Sequence, residues 1–600
     1  MSIHSTTKPF RANRVWFLLD KYGLILLVVF TFIAFIFAWV ETYVGKSSTN
    51  NSLFNAFMDT VNSDSGESQG WSRIMHFFLS ATIAWGAVRA YLTTAGHKFS
   101  YFMAKYLLNK HTIIIAGRLT ENINLETDLS SSKYKTLPDK SALAIDLAIT
   151  LARNRQSVVL CNPVITDQDL SRLWDVGVNV IKSDYSMAEV LDATGGGRAS
   201  RLIAMRDDYL ENIVLVRNAL SPTLENEELS CICMIEPHSM KRLVRLEDFF
   251  KKDAMFRLRE FNESELVARG LILNHPPDKA VAQKNIQVHL MMFGFGSVGQ
   301  AVLLQLAHQG HYLSGLKPKI TVIDQQSSQR WSNLLQHVPA LAEIIEIEPV
   351  EAEFDLINSK EIEKWLATTT PTMIYVCTKK EVTNLRLSRL ILGFLDSQKN
   401  DKEGIKAPDV VALDPPGGCI LSDFKKEGEY DNFYVYSLAY SSNASEPSPL
   451  TTGLLTDIDD EYAQKIHSDY CENYPTAEWS IPWKMLTESA RNANRRPADH
   501  LSVKLRAVNR RSVPKGDAEA APLSSAELEI LSRMEHNRWC AERKLDGWVY
   551  GSSSDRAKKI HNNLVPYDDL DEDTKQKDRN NVKSLFSVVL GDDFVIALDN

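Results

Sequence analysis

No two of the seven cysteines, at 161, 231, 233, 377, 419, 471 and 540, form a CxxC, and no His-rich run accompanies them. A zinc module is therefore not expected, and Cys161, Cys231, Cys233 and Cys377 fall in apolar strand-like segments as buried reduced thiols do. The chain also lacks an HExxH helix, a nucleophile elbow and a Walker A loop. Beyond residue 420 no acid–base residue suggests itself as facing a nicotinamide, so an enzyme is not expected. Neither charge sign dominates: a net charge of −9 argues against a protein built to coat nucleic acid. Charged residues at 24% and hydrophobic ones at 44% exclude wholesale disorder. At 600 residues the chain is too long for one core, which implies several domains.

What is present begins with two apolar runs. Tyr22–Val40 is uncharged and long enough to cross a bilayer, too long for a signal-peptide core, and without a small-residue cleavage site after it. Ile74–Val88 is shorter, and extends toward Leu92 if Arg89 snorkels. Lys8, Arg11, Arg14 and Lys21 precede the first run, and Arg89, Lys98, Lys105 and Lys110 follow the second, while the connecting loop is acidic. The positive-inside rule predicts an inner-membrane hairpin with both termini cytoplasmic. Within the loop, an amphipathic Ser52–Val61 stretch leads into Asn62, Ser63, Asp64, Ser65 and Gly66. That layout fits a two-span pore, although the potassium filter TVGYG is missing; an ordinary loop on a membrane anchor fits it too.

The most informative stretch is 288–324. An apolar run, Val288–Phe293, leads into Gly294-Phe295-Gly296-Ser297-Val298-Gly299; a helical pattern follows, and a second strand ends at Asp324. The first two glycines let the backbone turn and approach a pyrophosphate. The third permits helix-on-strand packing, the helix N-terminus (Ser297, Val298) offers N–H groups, and Asp324 can accept ribose hydroxyls. The pattern predicts a site for NAD or another adenine nucleotide.

From His111 on, strands and helices alternate as in a parallel sheet. Expected strands are 111–117, 157–160, 178–181, 201–205 and 229–235, with a helix over 141–153. With Ser183-Asp184, Glu189-Val190-Leu191, Asp207-Asp208 and Asn212, this part resembles the RCK or TrkA-N nucleotide-binding domain of potassium channels and uptake systems. It departs in its first turn, Ala116-Gly117-Arg118-Leu119, and in Asn162-Pro163 where a carboxylate is usual, so this copy is not expected to bind a dinucleotide. The 288–395 stretch resembles a second copy with its loop intact, Met373–Cys377 as fourth strand, then Lys379, Lys380 and Asn384, and Val410–Leu413 as fifth.

Near the C-terminus, Glu535-His536-Asn537-Arg538-Trp539, Gly547-Trp548-Val549-Tyr550-Gly551, His561 through Tyr567, and Asp578-Arg579 resemble the RyR domain of ryanodine receptors, also found singly in bacterial proteins. Glu535, His536, Arg538, Trp539, Trp548, Tyr550, His561 and Tyr567 can line a pocket in which a base stacks and phosphates meet cations. Equally, Trp539 and Trp548 can be the core of a small domain. A helix from Trp483 through Lys504 is expected to pack against this module.

The expected organisation is a hairpin (1–110), a degenerate Rossmann-like domain (111–285), an intact one (286–425), an irregular linker region (426–475) and an RyR-like domain (476–600). Segments 441–448 and 511–525 are the expected linkers; 397–404 reads as a surface loop. Together the resemblances imply a nucleotide-regulated cation (potassium) channel or transport regulator, tetrameric if it forms a pore. The alternative is a membrane-anchored nucleotide sensor or effector without a pore, as in bacterial defence or stress responses.

Overall fold

The computed structural model describes residues 100–117, 139–182, 185–186, 189–221, 224, 226–235, 250, 257–398, 407–414, 420–426, 430–437, 460–477, 479–591 and 594–599. The expected spans, 22–40 and 74–88, and the loop residues Asn62, Ser63, Asp64, Ser65 and Gly66 lie outside them. Among the described residues no helix is long and apolar enough to cross a membrane. The chain forms two compact units, Met1–Ile232 and Cys233–Asn600.

In the first, β1 (Thr112–Gly117), α1 (Asp139–Arg153), β2 (Val158–Cys161), β3 (Asn179–Ile181), β4 (Arg201–Arg206) and β5 (Ser230–Met234) follow one another closely. With β6 (Leu258–Phe261) they give the sheet order β3-β2-β1-β4-β5-β6, and the division between units falls inside β5. β1 runs parallel to β2 and β4. Its isoleucines, Ile113, Ile114 and Ile115, are all fully buried. A strand covered on both faces reads as an unbroken apolar run, which is why it was legible in the sequence.

The second unit continues with α2 (Glu263–Asn274), whose N-cap Asn262 accepts a bond of 2.9 Å from the Glu265 N–H. Then come β7 (His289–Phe293), α3 (Ser297–Gln309), β8 (Lys319–Asp324), β9 (Glu346–Glu351), β10 (Met373–Val376), α4 (Glu381–Ser397), β11 (Asp409–Asp414) and β12 (Phe433–Ser437). Their order, β12-β11-β10-β7-β8-β9, read from the other edge, repeats the first sheet. Both are Rossmann-like doubly wound sheets of order 3-2-1-4-5-6.

After them the chain is mainly helical: α5 (Glu461–Asn473), α6 (Glu488–Asp499), α7 (Leu501–Ala507), α8 (Ser525–Leu545) and α9 (Glu572–Leu590). Four short strands join them, β13 (Arg510–Pro514), β14 (Val549–Tyr550), β15 (Ile560–His561) and β16 (Phe594–Leu598), with β13 and β16 antiparallel.

Three local expectations need correction. The stretch 426–475, read as irregular, contains β12 and α5, because Phe433-Tyr434-Val435-Tyr436 is short but wholly apolar and aromatic. The stretch 511–525, read as a linker, opens with β13. The helix expected from Trp483 to Lys504 is a 3-10 turn (Trp483–Met485) followed by α6 and α7, which meet at His500. Residues 399–406 and 441–448 lie outside the described ones.

One device recurs in both sheets. After β4, the buried side chain of Asn212 accepts from the Arg206 N–H (2.7 Å) and donates to the Arg206 carbonyl (3.0 Å). After β10, Asn384 accepts from the Thr378 N–H and donates to the Thr378 carbonyl, both at 3.0 Å, and also donates to the Leu413 carbonyl at 2.7 Å. The separation is six residues in each case. A primary amide offers both donor and acceptor, so it can close off a strand end that no neighbour pairs. Replacing Asn384 by Leu leaves these buried backbone groups unpaired and is expected to lower stability by about 3 kcal/mol. Urea unfolding of the full chain checks it; an unchanged midpoint would remove the staple.

Candidate functional site

The glycine loop joins β7 to α3. Gly294 sits at φ +105, in the left-handed region, and a Cβ there would lie 2.8 Å from the Cys377 carbonyl oxygen. A Cβ on Gly299 would come within 2.2 Å of the Gly294 carbonyl oxygen. Gly296 differs: nothing lies within 4 Å of where its Cβ would be. As N-cap of α3 it has no side chain to accept a bond, so the first-turn N–H groups (Ser297, Val298, Gly299) keep their capacity for an anion. The residues present fit a diphosphate.

Asp324 is brought to this loop, but it is largely committed already. Its Oδ2 accepts from the Phe295 N–H (2.9 Å) and from Arg330 Nη1 (3.0 Å), and its Oδ1 accepts from the Gln326 N–H (3.0 Å). A carboxylate has roughly four acceptor sites, so about one remains for a ribose hydroxyl. The carboxylate thus braces the loop as well as facing it. In the first sheet Gly117 ends β1 at φ +86, where a Cβ would be 2.7 Å from Oδ1 of buried Asn162; the residues that follow it, 118–138, lie outside the described ones.

The far end of α3 is tied to the C-terminal helices. Gln309 Nε2 donates to Asp499 Oδ2 at 3.0 Å, and Arg269 on α2 grips the same carboxylate at 2.8 and 2.7 Å. Arg269 also reaches Asp460 at 3.3 Å, and Arg495 holds Asp460 at 2.8 and 2.6 Å. A second bidentate pair, Arg506 on Asp278, closes at 3.0 and 2.8 Å. Between them Val288 and Tyr312 share a core with Leu501, Leu531, Val582 and Phe586. The glycine-loop sheet and the C-terminal helices are therefore one packed body.

Within the C-terminal module the expected ligand residues separate into two groups. Glu535 and Arg538 belong to a buried ion network: Lys504 Nζ lies 2.6 Å from Glu535, and Arg538 binds Glu535 at 2.9 Å and Glu542 at 2.5 Å. This is the contact the Trp483–Lys504 segment was expected to make. Burial opposes charge on Glu535, but Arg538 and Lys504 outweigh it and hold the carboxyl well below its usual range. His500 beside them is pushed down to about 3 by burial and the Lys504 charge, so it is neutral. Tyr567 is also buried, with Arg533 5.1 Å from its ring centroid.

The second group is half-exposed. His561 stands edge-on to Trp539 (centroids 4.9 Å apart) and to Trp548 (6.2 Å). Arg543 lies 5.8 Å from the Trp539 ring and 5.4 Å from that of Trp548. Tyr550, exposed, follows Trp548 two residues later in the chain. Two indole faces, an imidazole and a guanidinium suit a planar ring carrying an anionic substituent. Arg543 was missed in the sequence, although it follows Trp539 by one helical turn and so shares its face.

His536 connects the two groups. It is buried, with Nε2 2.9 Å from the Val565 carbonyl and Nδ1 3.2 Å from Asp578 Oδ2, so both ring nitrogens face acceptors. Burial pushes its pKa down, yet Asp578 and Cys540 raise it to about 10. Its stabilising contribution is complete below the ordinary value of 6.5 and is lost as pH climbs through about 10. The unfolding midpoint is expected to fall over that window, and Asp578→Asn should flatten the decline. A variant retaining the full slope would overturn the pairing.

Comparison with known families matches the RyR domain to residues 524–597. The match begins at Ser524, the N-cap of α8, whose side chain and Glu527 form a capping box, and ends in β16. The aromatic group, and Glu535, Arg538 and Glu542 of the buried ion network, thus belong to an RyR domain, while Lys504 reaches that network from outside the matched residues.

Proposed function

We propose that this chain is a membrane-attached nucleotide sensor in which the 286–425 domain, of the RCK or TrkA-N type, binds NAD or another adenine nucleotide. The RyR domain is compatible with a ligand-sensing module, and in this reading it takes a second ligand at Trp539, Trp548, His561 and Arg543. The observation that carries the proposal is the uncapped N-terminus of α3 beside the open space at Gly296, on a helix whose other end bonds Asp499. A diphosphate at one end and the RyR core at the other then share one rigid element. Arg330 pairs with Asp324 at this loop, and the exposed Lys379 and Lys380 directly follow Thr378, whose main chain lies beside Gly294.

The output in this reading is a potassium or other cation pathway, built by a homo-tetramer because two spans cannot enclose a pore alone. Each ligand biases that pathway only by its differential affinity for the two states. It rests on the apolar runs at 22–40 and 74–88 and the intervening loop. The missing TVGYG favours a second reading, a membrane-anchored sensor or effector without a pore; neither reading gives the chain catalysis.

Gly296→Asp in the full chain is expected to weaken nucleotide binding on the order of a hundredfold in calorimetry, since like-charge juxtaposition costs several kcal/mol. Unaltered affinity would remove the phosphate cradle. Neutralising Asp64 and Glu67 together separates the two outputs in a liposome flux assay. Changed ion selectivity supports a pore, and absence of any flux with or without nucleotide supports the anchor.

A further inference from the structure

The segment that follows the second apolar run in sequence presents a stripe that no described residue of the first unit covers. Residues Met103–Leu107 form a short π-helix. Its inner side is buried: Met103 is 4% exposed and Ala104 fully covered. Its outer side carries Phe102, Tyr106 and Leu107, which are 49, 55 and 57% exposed. In a π-helix the repeat is between four and five residues, so 102, 106 and 107 fall on one face. The Phe102 and Tyr106 rings are 5.4 Å apart, which makes the stripe continuous.

The segment is also fixed in place. Arg198 donates from Nε to the Leu108 carbonyl (3.1 Å) and from Nη2 to the Ala104 carbonyl (3.3 Å), and its own carbonyl accepts from the Lys110 N–H at 2.8 Å. Gly195, at φ +72, lets the main chain come so close that a Cβ would lie 2.3 Å from the Ala104 oxygen. Three large apolar side chains held outward on a fastened segment need a cover.

We infer that this stripe lies in the interface of the lipid bilayer. The inference rests on the two-span reading of residues 22–40 and 74–88, and the reason is the length of chain between. Leu92, where the second run can end, precedes Phe102 by ten residues. Ten residues reach about 15 Å as helix and at most about 35 Å fully extended. That reach is short enough to hold the stripe at the membrane–water interface, where aromatic side chains are at home; Lys105 is paired with Asp192 at 2.5 Å, while Lys110, largely exposed, matches the basic flank of a cytoplasmic face. The unit is thus seated on the membrane by this segment as well as tethered through it.

The test uses the full chain in phosphatidylcholine–phosphatidylglycerol vesicles. A benzoylphenylalanine replaces Phe102, Tyr106 or Leu107 in turn, and Leu316, which is 51% exposed, serves as control. After irradiation, phospholipid adducts at the three stripe positions are expected several-fold above the control. Cross-links to the same chain or to a second copy, or adducts no more frequent than at Leu316, would overturn the assignment. Flotation separates the failures. Chain that floats without adducts sinks the stripe alone, whereas chain that does not float sinks the two-span reading and the stripe with it.

Discussion

The structure turns on a close approach of main chain to main chain at the C-terminal edge of the second sheet. Gly299 lies against the Gly294 carbonyl and Gly294 against that of Cys377, with no room for a side chain at either. That double approach lets α3 start directly off β7, with its first-turn N–H groups turned to the open side at Gly296. Asp324 consolidates the arrangement by accepting from the Phe295 N–H between the glycines. The same features that make the loop rigid also make it suited to an anion, because the backbone dipoles need no reorganisation when charge arrives.

From there the effects propagate by packing. α3 is apolar along most of its length because it is buried on nearly all sides, and its final turn meets Asp499 through Gln309. Asp499 and Asp460 are shared among Arg269, Arg495 and Gln309, so no one of them can move without disturbing the others. Isolated buried charges are costly, but a closed set of bidentate pairs is not easily opened. The network around Glu535 repeats this arrangement between Lys504 and the RyR domain. Two ligands acting on such a body would influence one another reciprocally.

Much of this was legible in the chain. β1, β7, β8, β10 and β11 announced themselves as apolar runs because both sheet faces are covered. β9 did not, since Glu346-Ile347-Glu348-Pro349-Val350-Glu351 is an exposed edge strand whose acids and proline suit an unpaired edge. β13 and β16 were invisible because their partner lies far along the chain. The ion pairs of Glu535 and Arg538 were hidden for a physical reason. Charged residues within an aromatic motif suggest a ligand, and only the fold shows that Lys504 and Glu542 already satisfy them. The end of β8 at Asp324 was legible, but the bond from Asp324 to Arg330 was beyond the reach of a motif.

The pairing of β13 with β16 has one more consequence. Arg510 stands opposite Leu598 and Pro514 opposite Phe594, so the point where the RyR region is entered and the point where it is left lie side by side. A unit whose two ends meet in this way is closed by its own strand pair, yet Val288 and Tyr312 enter its core and Lys504 its ion network, so its closure also clasps the neighbouring sheet.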